Sequence, residues 1–122
     1  MKTILIIVIA AIAVFYTYNT NAATRNQKRI IKLLSSEKSI IIVDVRTNEE
    51  FNSGHIEKSI NIPLSNISNE TEKLKKYNIV VTVCVSGVRS KQARSILRKK
   101  GLSNVINGGG WVELNRKINN QQ

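Results

Sequence analysis

The stretch at residues 78–100, NIVVTVCVSGVRSKQARSILRKK, decides the fold. Asn78 to Cys84 is rich in β-branched residues with almost no polar interruption, the composition of a strand buried on both faces, as in parallel sheets. Ser90 to Lys100 places Ala93, Ile96 and Leu97 on one helical face and meets a stop at Gly101. A strand, a short loop and a helix make a βα unit. In open α/β sheets ligands bind beyond the carboxyl ends of the strands, so Cys84 stands where a site is expected.

The flanking sequence repeats the alternation. Upstream, Ser39 to Val45 (SIIIVDV) is a second buried strand carrying Asp44, with Arg46 just beyond it. Thr47-x-x-Glu50 is a capping box that predicts one helical turn through Phe51, ended by Gly54. Ser59 to Ile62 reads as a short strand closed by Pro63, and Ser68 to Tyr77 as a helix with acids early and lysines late. Thr24-x-x-Gln27 is a further capping box, predicting a short amphipathic helix over Arg25 to Ser35. Downstream, Val105-Ile106 is a brief strand, Asn107 to Gly110 a flexible turn and Trp111 to Ile118 a short helix. The expected class is α/β, a small parallel sheet with helices on both faces.

Residues 1–22 read differently. Lys2, an apolar run from Ile4 to Phe15 and then polar Tyr16 to Asn21 follow the order of a secretory signal, and Thr20-Asn21-Ala22 predicts cleavage after Ala22. The run is shorter than the ~20 residues of a spanning helix, although Tyr16 to Tyr18 extend it toward an interface, so an uncleaved anchor is the alternative. The expected organisation is a signal or anchor at 1–22 and one domain at 23–122, exported to a periplasmic or extracellular compartment or held at the membrane by the first segment.

Composition narrows the function classes. The 122 residues suit one domain, and 42% hydrophobic content is too high for disorder. A lone cysteine excludes an intramolecular disulfide and a Cys-rich zinc site, and no cofactor or metal is expected. The net charge is +11, and between Lys73 and Lys117 the single acid is Glu113. Such a field concentrates small anions as well as polyanions. For the cluster Arg98, Lys99 and Lys100, solvated side chains at a helix end are the expected reading, so no nucleic-acid partner is predicted.

The Cys84–Arg89 loop has the means to activate a thiol. A loop that enters a helix turns successive N–H groups inward, and Gly87 supplies the backbone freedom for that curl. These N–H groups, the helix N-terminus and Arg89 all favour thiolate over thiol. Cys84 is therefore expected to be a nucleophile at neutral pH.

Four motifs in order then resemble the rhodanese family: Asp44-Val45-Arg46; Glu50-Phe51-x-x-Gly54-His55-Ile56 with Asn61-Ile62-Pro63-Leu64; Cys84-x-Ser86-Gly87-x-Arg89-Ser90; and Val105-x-Asn107-x-Gly109-Gly110. The likeness covers about residues 31–114 and is nearest to the short exported rhodaneses of the phage-shock type. It implies a cysteine that takes a sulfane sulfur from thiosulfate or a polysulfide, holds it as a persulfide and passes it to cyanide or a thiol. It makes Cys84 catalytic and the N–H groups of Val85, Ser86, Gly87, Val88 and Arg89 the cradle for the outer sulfur, with Arg89 and Lys91 drawing in the anion. It gives Asp44, Arg46, His55 and Ser90 supporting roles. Val85 departs from the polar residue many members carry there. Trp111 follows the glycine pair at once, and core packing at the domain edge is its expected role.

Rival readings rank lower. Tyrosine and dual-specificity phosphatases place five residues between Cys and Arg, whereas here there are four, Val85 to Val88, a ring better matched to one sulfur atom. A Cys–His dyad is not expected from the Gly54-His55-Ile56 turn. A non-catalytic rhodanese-like module that binds an anion or passes sulfur to a protein partner is the alternative function. A monomer is expected, with membrane contact only if the leader is retained.

Overall fold

The computed structural model describes every residue except Lys38. The run at 39–45 forms β1 (Ile40–Asp44), the short segment after it β2 (Ile60–Asn61), the run at 78–84 β3 (Ile79–Cys84), and the glycine-rich segment β4 (Val105–Gly110). All pairings are parallel and the order is β2-β1-β3-β4. The two strands of highest apolar content occupy the centre, where both faces are covered.

Side-chain alternation divides the core in two. Ile41, Val43, Val80 and Cys84 face one layer, which holds Ile67, Leu74, Ala93 and Leu97. Ile42, Val81, Val83 and Ile106 face the other, with Ile30 and Leu114. The first layer is built from a 3-10 helix (Leu64–Glu70), α3 (Thr71–Leu74) and α4 (Val88–Lys99), the second from α1 (Lys2–Ser36) and α5 (Trp111–Asn119). The expected helices on both faces are present.

Four local expectations need correction. The helix expected over Arg25 to Ser35 is the last part of α1, one 35-residue helix, and Thr24 lies inside it and caps nothing. No Gly or Pro occurs between Lys2 and Ser36, so nothing local breaks the helix. The helix expected over Ser68 to Tyr77 is instead the 3-10 helix followed by the single turn of α3. Asn66, Ser68 and Asn69 are poor helix formers, and Thr71 Oγ1 donates back to the Ser68 carbonyl at 3.1 Å, which favours tight winding. The helix expected from Ser90 starts at Val88, with Gly87 at its N-cap. Finally, Asn107 to Gly110 is strand rather than turn. Asn107 pairs with Thr82 and Gly109 with Val83, so Gly108 is the extra residue of a bulge. A Cβ on Gly108 would stand 2.9 Å from Val81 and Val83 Cγ1, so only glycine lets β4 lie this close to β3.

The capping box at Thr47 forms as expected and opens α2 (Asn48–Asn52): Thr47 Oγ1 accepts the Glu50 N–H, and Glu50 Oε1 accepts the Thr47 N–H, both at 3.2 Å. This turn and α4 both begin beyond strand C-termini, so α2 and the Cys84 loop share one end of the sheet.

Candidate functional site

Cys84 closes β3 with 1% of its surface exposed. The chain must then reverse into α4 within three residues, and Gly87 makes that turn with φ +96°. A side chain would be strained there. The turn aims the Gly87 N–H at Cys84 Sγ, 3.0 Å away. Ser90, buried on the first turn of α4, lies on the other side, and the thiol donates to its Oγ at 3.4 Å. Burial is the largest single influence on Cys84 and raises its pKa. The Ser90 side chain and the backbone N–H groups of Ser90, Gly87 and Ser86 together outweigh it, so the thiol is held below its ordinary value.

Ser90 is fixed in turn. Its hydroxyl donates to Asn107 Oδ1 at 2.6 Å, Gly109 N–H donates to the same oxygen at 3.0 Å, and Thr82 Oγ1 donates to the Ser90 carbonyl at 2.8 Å. Asn107 therefore links the β4 bulge, through Ser90, to Cys84. The expected turn at Asn107 concealed this role. A turn residue shows no partner in sequence, and the strand bulge that aims Asn107 at Ser90 is a tertiary feature.

Arg89 forms an ion pair with α2. Its Nη1 donates to Glu50 Oε1 at 2.7 Å and its Nη2 to Oε2 at 3.0 Å, a two-pronged pair about one-third exposed. The Arg89 hydrogen bond, followed by the Thr47 N–H, lowers Glu50 to about 2. The guanidinium thus joins the Cys84 loop to α2, its charge balanced by a carboxylate. Glu50 was legible as a capping residue, but its second partner lies 39 positions away and carries no sequence signal.

Asp44 and Arg46 form a buried pair, with Arg46 Nη2 2.7 Å from Asp44 Oδ2 and 2.6 Å from the Gly54 carbonyl it also donates to. The guanidinium lies 4.6 Å from the centre of the partly buried Trp111 ring, and a Cβ on Gly54 would come within 3.2 Å of that ring. These groups join the end of β1, the loop after α2 and the start of α5. His55 is exposed, stacked 3.7 Å from Phe51, with Nδ1 2.7 Å from the Phe51 carbonyl. Both of these contacts are to Phe51 and neither reaches Cys84. Val85, Val88 and Lys91 are exposed around the loop, and Ser86 contributes its N–H.

Gln27 is a site neighbour that the sequence concealed as a capping partner. It is buried, donates to the Gly108 carbonyl at 3.0 Å and accepts from Lys117 Nζ at 2.7 Å, pinning the bulge from behind. A cleft of about 410 Å³ near β2 and α3, lined by Ile60, Asn66, Leu74 and Tyr77 among others, includes none of residues 84–90. Among the described residues no cluster of three His, Cys, Asp or Glu side chains could hold a metal.

Comparison with known proteins agrees with this geometry. The model of the rhodanese-like domain matches residues 26–117. The uncharacterized protein YqhL of Bacillus subtilis is 31% identical over 97% of both chains, so that likeness takes in most of α1. The thiosulfate sulfurtransferase PspE of Escherichia coli is 36% identical over 59% of this chain and 71% of its own. Among solved structures, a rhodanese-like domain protein from Staphylococcus aureus has a TM-score of 0.60 at 33% identity, covering 69% of this chain and 82% of that one. A thiol at the end of the central strand, a four-residue ring closed by an arginine and a parallel sheet in the order β2-β1-β3-β4 thus coincide with a match over most of the chain, and the protein belongs to the rhodanese family.

Proposed function

We propose that this protein is a sulfurtransferase in which Cys84 carries the sulfur as a persulfide. The observation that carries the reading is the convergence of the Gly87 N–H and Ser90 on a buried Sγ whose pKa is lowered despite burial. The Cys84 thiolate attacks the outer sulfur of thiosulfate. The new bond is Sγ–S, the S–S bond of the donor breaks, and sulfite leaves with the electron pair. An acceptor such as cyanide or a thiolate then attacks the outer sulfur and restores the Cys84 thiolate. Backbone N–H groups of Val85 to Arg89 stabilise the negative outer sulfur as an anion nest. Asp44, Arg46 and His55 hold the surrounding loops. Relatives bearing the name thiosulfate sulfurtransferase support the reaction class.

Intact mass of the full chain, before and after thiosulfate and then cyanide, tests this. A gain of one sulfur atom that cyanide removes and Cys84→Ser abolishes is expected. No gain in protein with a titratable thiol overturns thiosulfate as donor.

The Arg89–Glu50 pair favours a second reading of the donor. With Arg89 balanced by Glu50 and Val85 exposed beside the thiol, the mouth suits an uncharged organic polysulfide better than a dianion. A larger catalytic efficiency with an uncharged dialkyl trisulfide than with thiosulfate is the expected result, and the reverse order returns thiosulfate to first place. As to location, α1 is long and apolar enough to cross a membrane, and its run from Ile4 to Tyr18 lies uncovered. Arg25, Lys28, Arg29 and Lys32 follow that run closely, and cations so near an apolar segment resist translocation, which favours the anchored form over a cleaved leader.

A further inference from the structure

α1 has a direction relative to the sheet. Asn26 donates to the Asn107 carbonyl at 3.2 Å and Gln27 to that of Gly108 at 3.0 Å, at the middle of β4. Farther along, Leu33 and Leu34 pack in the layer that includes Ile40 and Ile79, the first residues of β1 and β3, and the chain enters β1 at Ile40. α1 therefore runs antiparallel to the strands. Its upstream part, Lys2–Arg25, continues without a break past the strand C-termini, the end that holds the Cys84 loop. It holds no Gly or Pro to kink it, and at ~1.5 Å per residue its length is about 36 Å.

The projecting part has the chemistry of a membrane segment. Ile4, Leu5, Ile6, Ile7, Ile9 and Phe15 are each more than half exposed. Tyr16 and Tyr18 end the apolar run as interfacial aromatics do, and the exposed Arg25, Lys28, Arg29 and Lys32 follow, a charge pattern complementary to anionic headgroups. Tyr18 precedes Asn26 by eight residues, about 12 Å along the axis. Asn26 is level with Asn107, which bonds Ser90 beside Cys84.

We infer that α1 remains in an anionic lipid bilayer and, by leaving the domain at the strand C-termini, holds the Cys84 loop facing the bilayer surface. The exposed Val85 and Val88 then lie toward the headgroups, and the opposite end of the sheet, marked by Ser103, points away. A membrane-facing thiol serves sulfur partners confined to that surface. The inference rests on the anchored reading of α1 and is independent of which donor is used.

The test uses full-length protein in vesicles of phosphatidylcholine and phosphatidylglycerol. Single cysteines are placed in a Cys84→Ser background by Val85→Cys, Val88→Cys or Ser103→Cys, all at exposed positions, and labelled with bimane. Lipid carrying a nitroxide on its headgroup should quench bimane at 85 and 88 at least threefold more than at 103. Equal quenching at the three positions, or stronger quenching at 103, overturns the presentation of the loop. Intact mass of the chain recovered from host membranes separates the two parts: residues 1–22 retained supports the anchor, whereas a chain lacking them, found in the soluble fraction, overturns it.

Discussion

Ser90 has one hydroxyl proton and two neighbours that can accept it. With Cys84 protonated, the proton goes to Asn107 Oδ1 at 2.6 Å and the thiol donates to Ser90 Oγ at 3.4 Å. Once the thiol ionises, the hydroxyl can rotate to the sulfur, because the Gly109 N–H still serves Asn107 Oδ1. Ser90→Ala removes that donor. Hydrogen bonds to charged groups contribute ~1.5–3 kcal/mol, so alkylation of Cys84 by iodoacetamide at neutral pH should slow by about tenfold or more, with the inflection of its rate–pH profile moved upward. An unchanged profile would remove Ser90 from the activation of the thiol. Glu50→Gln isolates the ion pair, since glutamine still closes a capping box. Glu50 is lowered in the folded protein from 4.5 to about 2, so the stability it contributes is complete above its ordinary value and is lost as pH falls through about 2. Acid titration of unfolding should show native protein losing stability between those values and the variant showing a flatter curve. The same variant frees Arg89, and KM for thiosulfate should fall while KM for an uncharged polysulfide stays put.

At the scale of elements, the site depends on two backbone irregularities that touch. The left-handed turn at Gly87 would carry a Cβ 3.4 Å from Gly109 Cα, and Gly109 belongs to the bulged part of β4. The αL turn and the bulge fit together because neither has a side chain at the contact. Gly87→Ala should cost ~1–3 kcal/mol from the unfavourable φ, seen as a lower urea midpoint with unchanged slope, and should also displace the N–H from Sγ and slow alkylation. Leu97→Ala, on the fully buried face of α4, should cost ~2–5 kcal/mol yet leave the thiol's pH profile alone, because Leu97 lies in the core and not at the loop. The contrast separates loss of the site from loss of stability.

For the whole molecule, α1 divides into a part that belongs to the core and a part that does not. Ile30 and Gln27 are buried, whereas the residues from Lys2 to Asn21 are all exposed. Deleting residues 1–22 should therefore leave the thermal midpoint within a few degrees of the full chain and move the protein from the membrane to the soluble fraction. Gln27→Ala should do the opposite, leaving membrane association intact and lowering stability by ~1–3 kcal/mol, since the buried Gly108 carbonyl loses its donor and Lys117 Nζ keeps only Glu113. A large drop in midpoint on truncation would show that the apolar segment packs on the domain.

Much of this protein was legible in order along the chain. β1 and β3 were readable as buried parallel strands because their apolar runs need cover on both faces, and the Thr47–Glu50 capping box because its hydrogen bonds close within three residues. Cys84 was legible by position, at the end of a strand and before a glycine turn. What tertiary structure alone decided involves partners far apart in sequence: Glu50 on Arg89, Asn107 on Ser90 and Gln27 on Gly108. The strand state of Asn107 to Gly110 belongs with these, since glycines in isolation favour a turn and form strand here only because β3 offers a ladder and no room for a Cβ. Local hydrogen bonds and burial patterns are written in neighbouring residues. Which charge neutralises Arg89, and which end of the sheet α1 leaves from, depend on the packing of distant segments, whose spacing the chain does not encode locally.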